Sequence, residues 1–394
     1  MALPGGSPHG DGMKRSAPTA VLAVNAGSSS VKLAIFHDGN PPVRASSHVV
    51  PTGGSLQVAA KASVAWVAGE ISRASIAAIG HRVVFSGHRP LVEPVERELL
   101  DMLRGASVHQ PEHLPLQVAL IDQFGKWAPD VPAFACSDSA FHATMPRVAR
   151  LLAIPFRLQS AGFERYGFHG LSCAYLMEEL ERLGGAGAAN GRVIIAHLGN
   201  GASVTAVRHG QSIDTSMGYT PAGGMPMSTR AGDLDAGAVE SICAAEGLTP
   251  EGFNRMVNEE SGLLGVAGTT GNIRDLLARS PGDARAADAV DLFCYQARKW
   301  IGAFTVVLGG LDTLIFAGGI GEHLAVIRER ICSDLAFLGL RVDADRNANA
   351  AAVISADGSR VAVRVIPTDE EAMIARATSR ARGRAGPPPT MESS

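Results

Sequence analysis

The 394-residue sequence has no excess of charge of one sign, since 35 Lys and Arg stand against 38 Asp and Glu for a formal net charge of -3. No chain-wide positive field exists to hold a nucleic acid or an anionic membrane, so neither is expected as a partner. Closely spaced cysteines are also absent. Of Cys136, Cys173, Cys243, Cys294 and Cys332, the nearest pair is 37 positions apart, which excludes a CxxC metal or redox pair and fits reduced cytosolic thiols. There is no long apolar run. The most apolar window, Ile301 to Gly321, is broken by Asp312 and six glycines and suits a buried helix leading into a strand, not a membrane span. Residues 1–17 carry Met13-Lys14-Arg15 without an apolar stretch behind them, and so read as a disordered extension and not a secretory signal. The Pro-rich tail, 383–394, reads as disordered too. What remains is a soluble, cytoplasmic globular chain, 46% hydrophobic and long enough for about two domains.

What the sequence does contain is a recurring object. Val24 to Phe36, "VNAGSSSVKLAIF", joins two apolar runs through one Gly and three serines, and reads as strand, tight turn, strand. Val193 to Gly210, "VIIAHLGNGASVTAVRHG", aligns with it at an offset of 172, matching Val21 to Val193, Gly27 to Gly199, Ala34 to Ala206 and His37 to His209. Two such units, each heading about half the chain, predict an internally duplicated α/β protein with two facing lobes and a site in the cleft between them. The predicted lobes are 18–148, joined by a C-terminal helix 371–382, and 149–370. A helix is predicted where Val290, Phe293, Cys294, Ala297, Trp300 or Ile301, and Phe304 fall on one face.

The turns point to anions. A Gly/Ser turn exposes backbone N–H groups and short hydroxyls, and Lys32 adds a point charge. One such turn alone is equally an ordinary hairpin. "HLGNGAS" (His197 to Ser203) and "AGGIGEH" (Ala317 to His323) add two more, and neither fits G-x-x-x-x-G-K-[ST] or a full G-x-G-x-x-G. A nucleotide held by several separated loops is preferred to a P-loop or Rossmann site. Charged residues then stand where surface residues would be odd. "GHRVV" places Arg82 at a strand end, the alternative being a core-edge salt bridge. "FACSDSAFHATMP" ends a strand on Asp138, which equally suits a helix N-cap. "RYGFHGLS" sets His169 among aromatics and glycines, where a structural histidine is the ordinary reading. "TRAGDLD" puts Arg230 in a Gly-rich loop able to close on an anion, and "IPTDEEAMIA" offers Asp369 and Glu370 as helix cap or as metal carboxylates.

Those segments, with "TSMGYTP", resemble the acetate kinase family and its propionate kinase relatives, in order and at family-like spacing from about Val21 to Ala375. The resemblance implies the actin-like ATPase fold and reversible phosphoryl transfer from ATP to a short carboxylate, chiefly acetate, in a homodimer, with Mg2+ or, in its place, Mn2+. By position it makes Asp138, His169 and Arg230 catalytic, and places Arg82, Val84 and Pro221 at the acyl substrate. It assigns Ser28, Ser30, Lys32, His197, Gly199, Asn200, Gly201, Asn272, Ile273, Arg274, Gly319, Ile320 and Gly321 to ATP, and Asn25 and Glu370 to the metal. The chain departs from the family at His323, Asn272, Ser228, "VFSGH" and "VHQPEHLP", which leaves nucleotide and chain-length preference open. A propionate or butyrate kinase is the neighbouring alternative. A non-catalytic actin-like ATP-binding module is the distant one, and it would not need Arg82, His169 and Arg230 together.

Overall fold

A computed structural model describes residues 19–27, 30–37, 39, 41–53, 55–84, 87–107 and 113–385. The expected N-terminal extension, 1–17, and Ser28 lie outside the described residues.

The first apolar run forms β1 (Ala20–Ala26), buried at every position, and the returning run forms β2 (Ser30–His37). β3 (Val43–Pro51), β4 (Ile76–Val83), β5 (Val92–Pro94) and β6 (Ala133–Ser137) complete a sheet ordered β3-β2-β1-β4-β6-β5. The second half forms β7 (Arg192–Leu198), β8 (Ala202–Arg208), β9 (Gln211–Thr215), β10 (Thr313–Ala317) and β11 (Ala362–Val365), ordered β11-β10-β7-β8-β9. In both sheets the leading hairpin is antiparallel and the next strands, β4 and β6 or β10 and β11, are added in parallel. The predicted duplication is therefore a duplication of topology. The two hairpins differ in one respect: Ala26 pairs with Val31 whereas Leu198 pairs with Ala202, so the second turn is one residue shorter.

Parallel strands must be covered on both faces, which is why these strands are almost continuously apolar. Helices Leu56–Glu70 and Leu114–Trp127 cover the outer face of the first sheet. The long helix Ala284–Leu308 covers the second through Val290, Phe293, Cys294, Ala297, Ile301 and Phe304, with Ile301 completing the buried stripe and Trp300 packed half-buried against the same core. On the inner faces lie the closing helix Glu370–Ala385, against Val21, Ala23 and Phe36, and the helix Gly170–Ala189, against Ile195 and Ile315. Met373 and Ile374 of the closing helix are fully buried, which contributes roughly 1.5–3 kcal/mol each. The closing helix begins one residue earlier than the predicted 371–382 and continues through Gly383 to Ala385; the rest of the expected tail, 386–394, lies outside the described residues. The two inner helices meet. Arg376 donates to Glu178 and Glu179, at 3.0 Å each, and lies over the Tyr175 ring. Among the described residues no helix is long and apolar enough to cross a membrane, and all five cysteines are free thiols.

Candidate active site

The inner helices leave the two hairpin turns facing each other across a cleft of about 1040 Å³. Asn25, Ser30, Lys32, Arg82, Val84 and Asp138 line it from the first lobe; His169, His197, Gly199, Asn200, Gly201, Pro221, Arg230, Asn272, Ile273, Arg274, Gly319 and Ile320 line it from the second; Glu370 enters from the closing helix. One predicted residue does not belong. Gly321 is buried, and a Cβ there would contact Phe316 and the Ala196 carbonyl, so it packs a helical turn onto the sheet. The segment expected as a strand ending in glycines is β10 followed by a short helix, Gly318–His323. Gly318 makes that turn at φ 74°, where a Cβ would lie 2.6 Å from the Leu198 carbonyl oxygen, and it lines the cleft in place of Gly321.

Arg82 is the electrostatic centre of the first lobe. Its Nη2 donates to Asp138 Oδ2 at 2.9 Å, its Nη1 donates to Asn25 Oδ1 at 3.2 Å, and Glu370 Oε2 stands 3.6 Å from Nη1. Burial alone would lower its pKa, but Asp138 and Glu370 outweigh burial and raise it, so the guanidinium stays charged. Asp138 is fully buried and also accepts the backbone N–H of His169 at 3.0 Å. Both bland readings of the sequence are thus partly realised: Arg82 has its ion pair, and Asp138 receives the start of a helix. Glu370 accepts from Ser172 Oγ at 2.7 Å and from Asn25 Nδ2 at 2.9 Å. Burial would push its carboxyl up, yet Arg82 and the neighbouring histidines hold it well below the usual carboxylate range. Asp369 caps the closing helix by accepting from the Ala372 N–H at 2.9 Å, which leaves Glu370 to turn into the cleft.

His169 adopts φ 58° and ψ 26°, a left-handed conformation uncommon for a non-glycine residue, at the N-terminus of the inner helix. Asp138 holds its N–H there, and its Nδ1 pairs with the buried Ser203 Oγ at 3.0 Å. The ring lies 4.4 Å from that of His197, and its Nε2 faces Gly201. Burial, then His197, keeps the imidazole pKa well below its ordinary value, so it is neutral at pH 7. Arg230 is half-buried in a loop fixed by Met227 N–H to Arg230 O and Ala231 N–H to Val257 O bonds, so the loop expected to be flexible is tied at both sides. Val84, two residues beyond Arg82 and 2% exposed, donates its backbone N–H to Gln117 Oε1 at 2.9 Å. Asn272 spends its side-chain oxygen on the Arg274 N–H, starting helix Ile273–Arg279.

Several cleft residues escaped the sequence reading. Glu371 lines the cleft beside Glu370 and accepts from Asn25 Nδ2 at 2.6 Å; its signal was the doubled carboxylate in "TDEEA". Ser172 and Ser203 stand inside recognised segments and hold Glu370 and His169. Phe168, Thr229 and Thr368, inside recognised segments, and His113, inside the departing stretch "VHQPEHLP", also line the cleft without having been singled out.

Two duplicated lobes around a nucleotide-sized cleft, with paired arginines, a neutral imidazole and carboxylates converging in it, define a phosphotransferase of the actin-like ATPase fold. The chain belongs to the acetokinase family, whose model matches residues 57–376. The acetate kinase of Rhodopseudomonas palustris is 37% identical over 390 residues, 90% of this chain and 96% of that one. Among solved structures, an acetate kinase from Porphyromonas gingivalis has a TM-score of 0.81 at 30% identity, over 92% of this chain and 99% of that one. A propionate kinase from Francisella tularensis has a TM-score of 0.82 at 33% identity, with the same coverage.

Proposed function

We propose that this chain catalyses reversible transfer of the ATP γ-phosphoryl group to acetate, giving acetyl phosphate and ADP. The observation that carries the reading is the convergence of Arg82, His169 and Arg230 on one cleft that is also lined by Gly27 and Ser30, by Gly199 to Gly201 and by the glycines that open the helix Gly318–His323. A carboxylate oxygen of acetate attacks the γ-phosphorus while the bond to the β-bridging oxygen breaks and ADP leaves. The nucleophile is ionised at pH 7, so no general base is needed. What the protein must do is align two anions and neutralise charge on the transferring group. Arg82 receives the acetate carboxylate, and Arg230 donates to the transferring oxygens. His169 donates as a neutral imidazole, with Ser203 at Nδ1 leaving Nε2–H directed toward the cleft. Asp138 acts as a positioning residue, because its Oδ2 accepts from both Arg82 and the His169 N–H while its Oδ1 faces the Leu171 N–H at 3.5 Å.

The residues fit Mg2+ carried by the nucleotide. Glu370 is ionised, Asn25 donates its amide to Glu370 and Glu371 and so aims two hard oxygen donors into the cleft, and the described residues hold no cluster of three metal-ligating side chains that would form a closed cage. Mg2+ is commonly held in this way, by one or two carboxylates plus substrate phosphates, and Mn2+ suits the same donors. Glu370 and Glu371 would hold the ion, which would supply positive charge to offset that of the nucleotide phosphates. The same proposal carries a cytoplasmic homodimer. A second reading, propionate or butyrate kinase, is favoured by the apolar Val84 and Pro221 and by the likeness to a propionate kinase, since one methylene is discriminated by only about 1–3 kcal/mol. Trapping the acyl phosphate with hydroxylamine in the presence of ATP, Mg2+ and each acid tests both. Acetohydroxamate formed fastest supports the proposal, propionohydroxamate formed fastest supports the second reading, and no hydroxamate from any acid rejects both.

A further inference from the structure

Glu322 lies behind the cleft, yet two segments that line the cleft are pinned to it. A single oxygen, Oε1, accepts the Gly318 N–H at 2.8 Å and the Thr368 N–H at 3.0 Å. Gly318 opens the short helix beside the nucleotide turns, and Thr368 stands two residues before Glu370. The Thr368 hydroxyl donates to Ser172 Oγ at 3.1 Å, and Ser172 donates to Glu370 Oε1 at 2.7 Å. Because ionised Glu370 can only accept, the direction of both hydroxyl bonds is fixed, and the series Gly318, Glu322, Thr368, Ser172, Glu370 has no loose member. Arg328 braces the far end of the short helix. It is 1% exposed and donates to the Gly321 and Glu322 carbonyls at 2.9 and 3.0 Å, so the helix is clamped and a shift at Gly318 is passed to Glu322.

We propose that Glu322 is a positioning residue that couples the nucleotide loop to the carboxylate at the metal position, so that nucleotide and Mg2+ strengthen each other's binding through the protein as well as by direct contact. Placing the nucleotide against Gly318–Ile320 fixes Glu322, which fixes Thr368 and, through Ser172, the orientation of Glu370. By linkage the effect is reciprocal. The ligand identities rest on the function proposed above, but the decisive readout, the Mg2+ dependence of ADP binding, is measured without turnover.

The test is calorimetric titration of ADP into full-length protein, with and without Mg2+, for wild type, Glu322→Ala, Glu322→Gln and Ser172→Ala. Loss of a residue that orients a metal ligand commonly costs about 10–100-fold in affinity. Glu322→Ala is expected to weaken ADP binding in Mg2+ by about tenfold or more and to shrink the ratio of the two dissociation constants, with the KM for acetate changed less than about twofold. Glu322→Gln is expected to recover most of the loss, since one amide oxygen can accept both N–H groups. If Glu322→Ala does not fold, Ser172→Ala decides, because it cuts the series next to Glu370 without touching the short helix. An unchanged Mg2+ dependence of ADP binding in the folded variant overturns the coupling. Equal damage to acetate and nucleotide binding also overturns it, by making Glu322 a general support. Failure of the functional reading is separate: wild-type protein would then yield no acyl phosphate from any acid, whatever the ADP titrations show.

Discussion

Gly201→Ala adds one methyl group at the point where the catalytic account is most exposed. Gly201 has no positive φ, so alanine meets no backbone penalty at the tip of the β7–β8 turn. The new Cβ would stand 3.2 Å from His169 Nε2, 3.4 Å from His169 Cε1 and 3.7 Å from Arg230 Nη1. It therefore fills the gap between the two donors assigned to the transferring phosphoryl oxygens and pushes the imidazole aside by a few tenths of an ångström. Removing one such donor outright costs about 10²–10³-fold in kcat, or roughly 2.7–4 kcal/mol. The ring can pivot about its Ser203 bond, so part of the interaction survives, and a 10- to 100-fold fall in kcat is expected, roughly 1.4–2.7 kcal/mol. The turn is half exposed, and Tm should move by no more than about 2 °C. Steady-state kinetics of acyl phosphate formation, with a thermal melt on the same preparation, make the check. Wild-type kcat in a folded Gly201→Ala protein would show that nothing reacts between His169 and Arg230, and their assignment would be withdrawn.

Arg230→Ala and His169→Ala should each fold normally and lose about 100-fold or more in kcat, whereas a change confined to the KM for acetate would make them ground-state binders. Val84→Ala should shift kcat/KM toward propionate over acetate several-fold, about 1 kcal/mol, with the KM for ATP nearly unchanged; an unaltered ratio would remove Val84 from the acyl wall. His81 is 2% exposed with neither ring nitrogen bonded among the described residues, and burial pushes its pKa down to about 3. Between that value and about 6.5 the unfolded chain binds a proton that the folded protein refuses, so stability falls as pH falls, by about 1.4 kcal/mol per pH unit from this group. Urea titrations at pH 7 and pH 5 should show His81→Leu losing about 2 kcal/mol less than wild type over that interval; parallel losses would contradict it.

The sequence disclosed the duplicated architecture because its hairpins are locally encoded: apolar strands and a small-residue turn can be read without knowing what surrounds them. The offset of 172 did not disclose that the second turn is one residue shorter, since pairing register is decided across strands, between Leu198 and Ala202. Long-range partners were hidden for the same reason. Asn25 and Glu370 could be named singly, but their hydrogen bond spans 345 positions and exists because the closing helix returns to β1. Glu371 was passed over because two adjacent carboxylates look alike until the first helical turn aims both at Asn25. Gly321 was included because a glycine motif does not reveal which of its members faces the ligand, whereas a helical turn sends one of them into the sheet. Ser172, Ser203 and Glu322 act on other side chains or on backbone, and such hydroxyls and carboxylates carry no spacing signature of their own.

The central claim is that this cleft passes phosphorus to a carboxylate and does more than bind or hydrolyse ATP. Phosphorus NMR of wild-type protein with ATP and Mg2+, with and without acetate, tests it most directly. The account requires the ATP γ-phosphorus signal to be replaced by that of acetyl phosphate, matched by ADP, only when acetate is present, and requires ATP to reappear when acetyl phosphate and ADP are supplied instead. An ATP spectrum unchanged by acetate, or one decaying to inorganic phosphate at the same rate with and without it, would contradict the account.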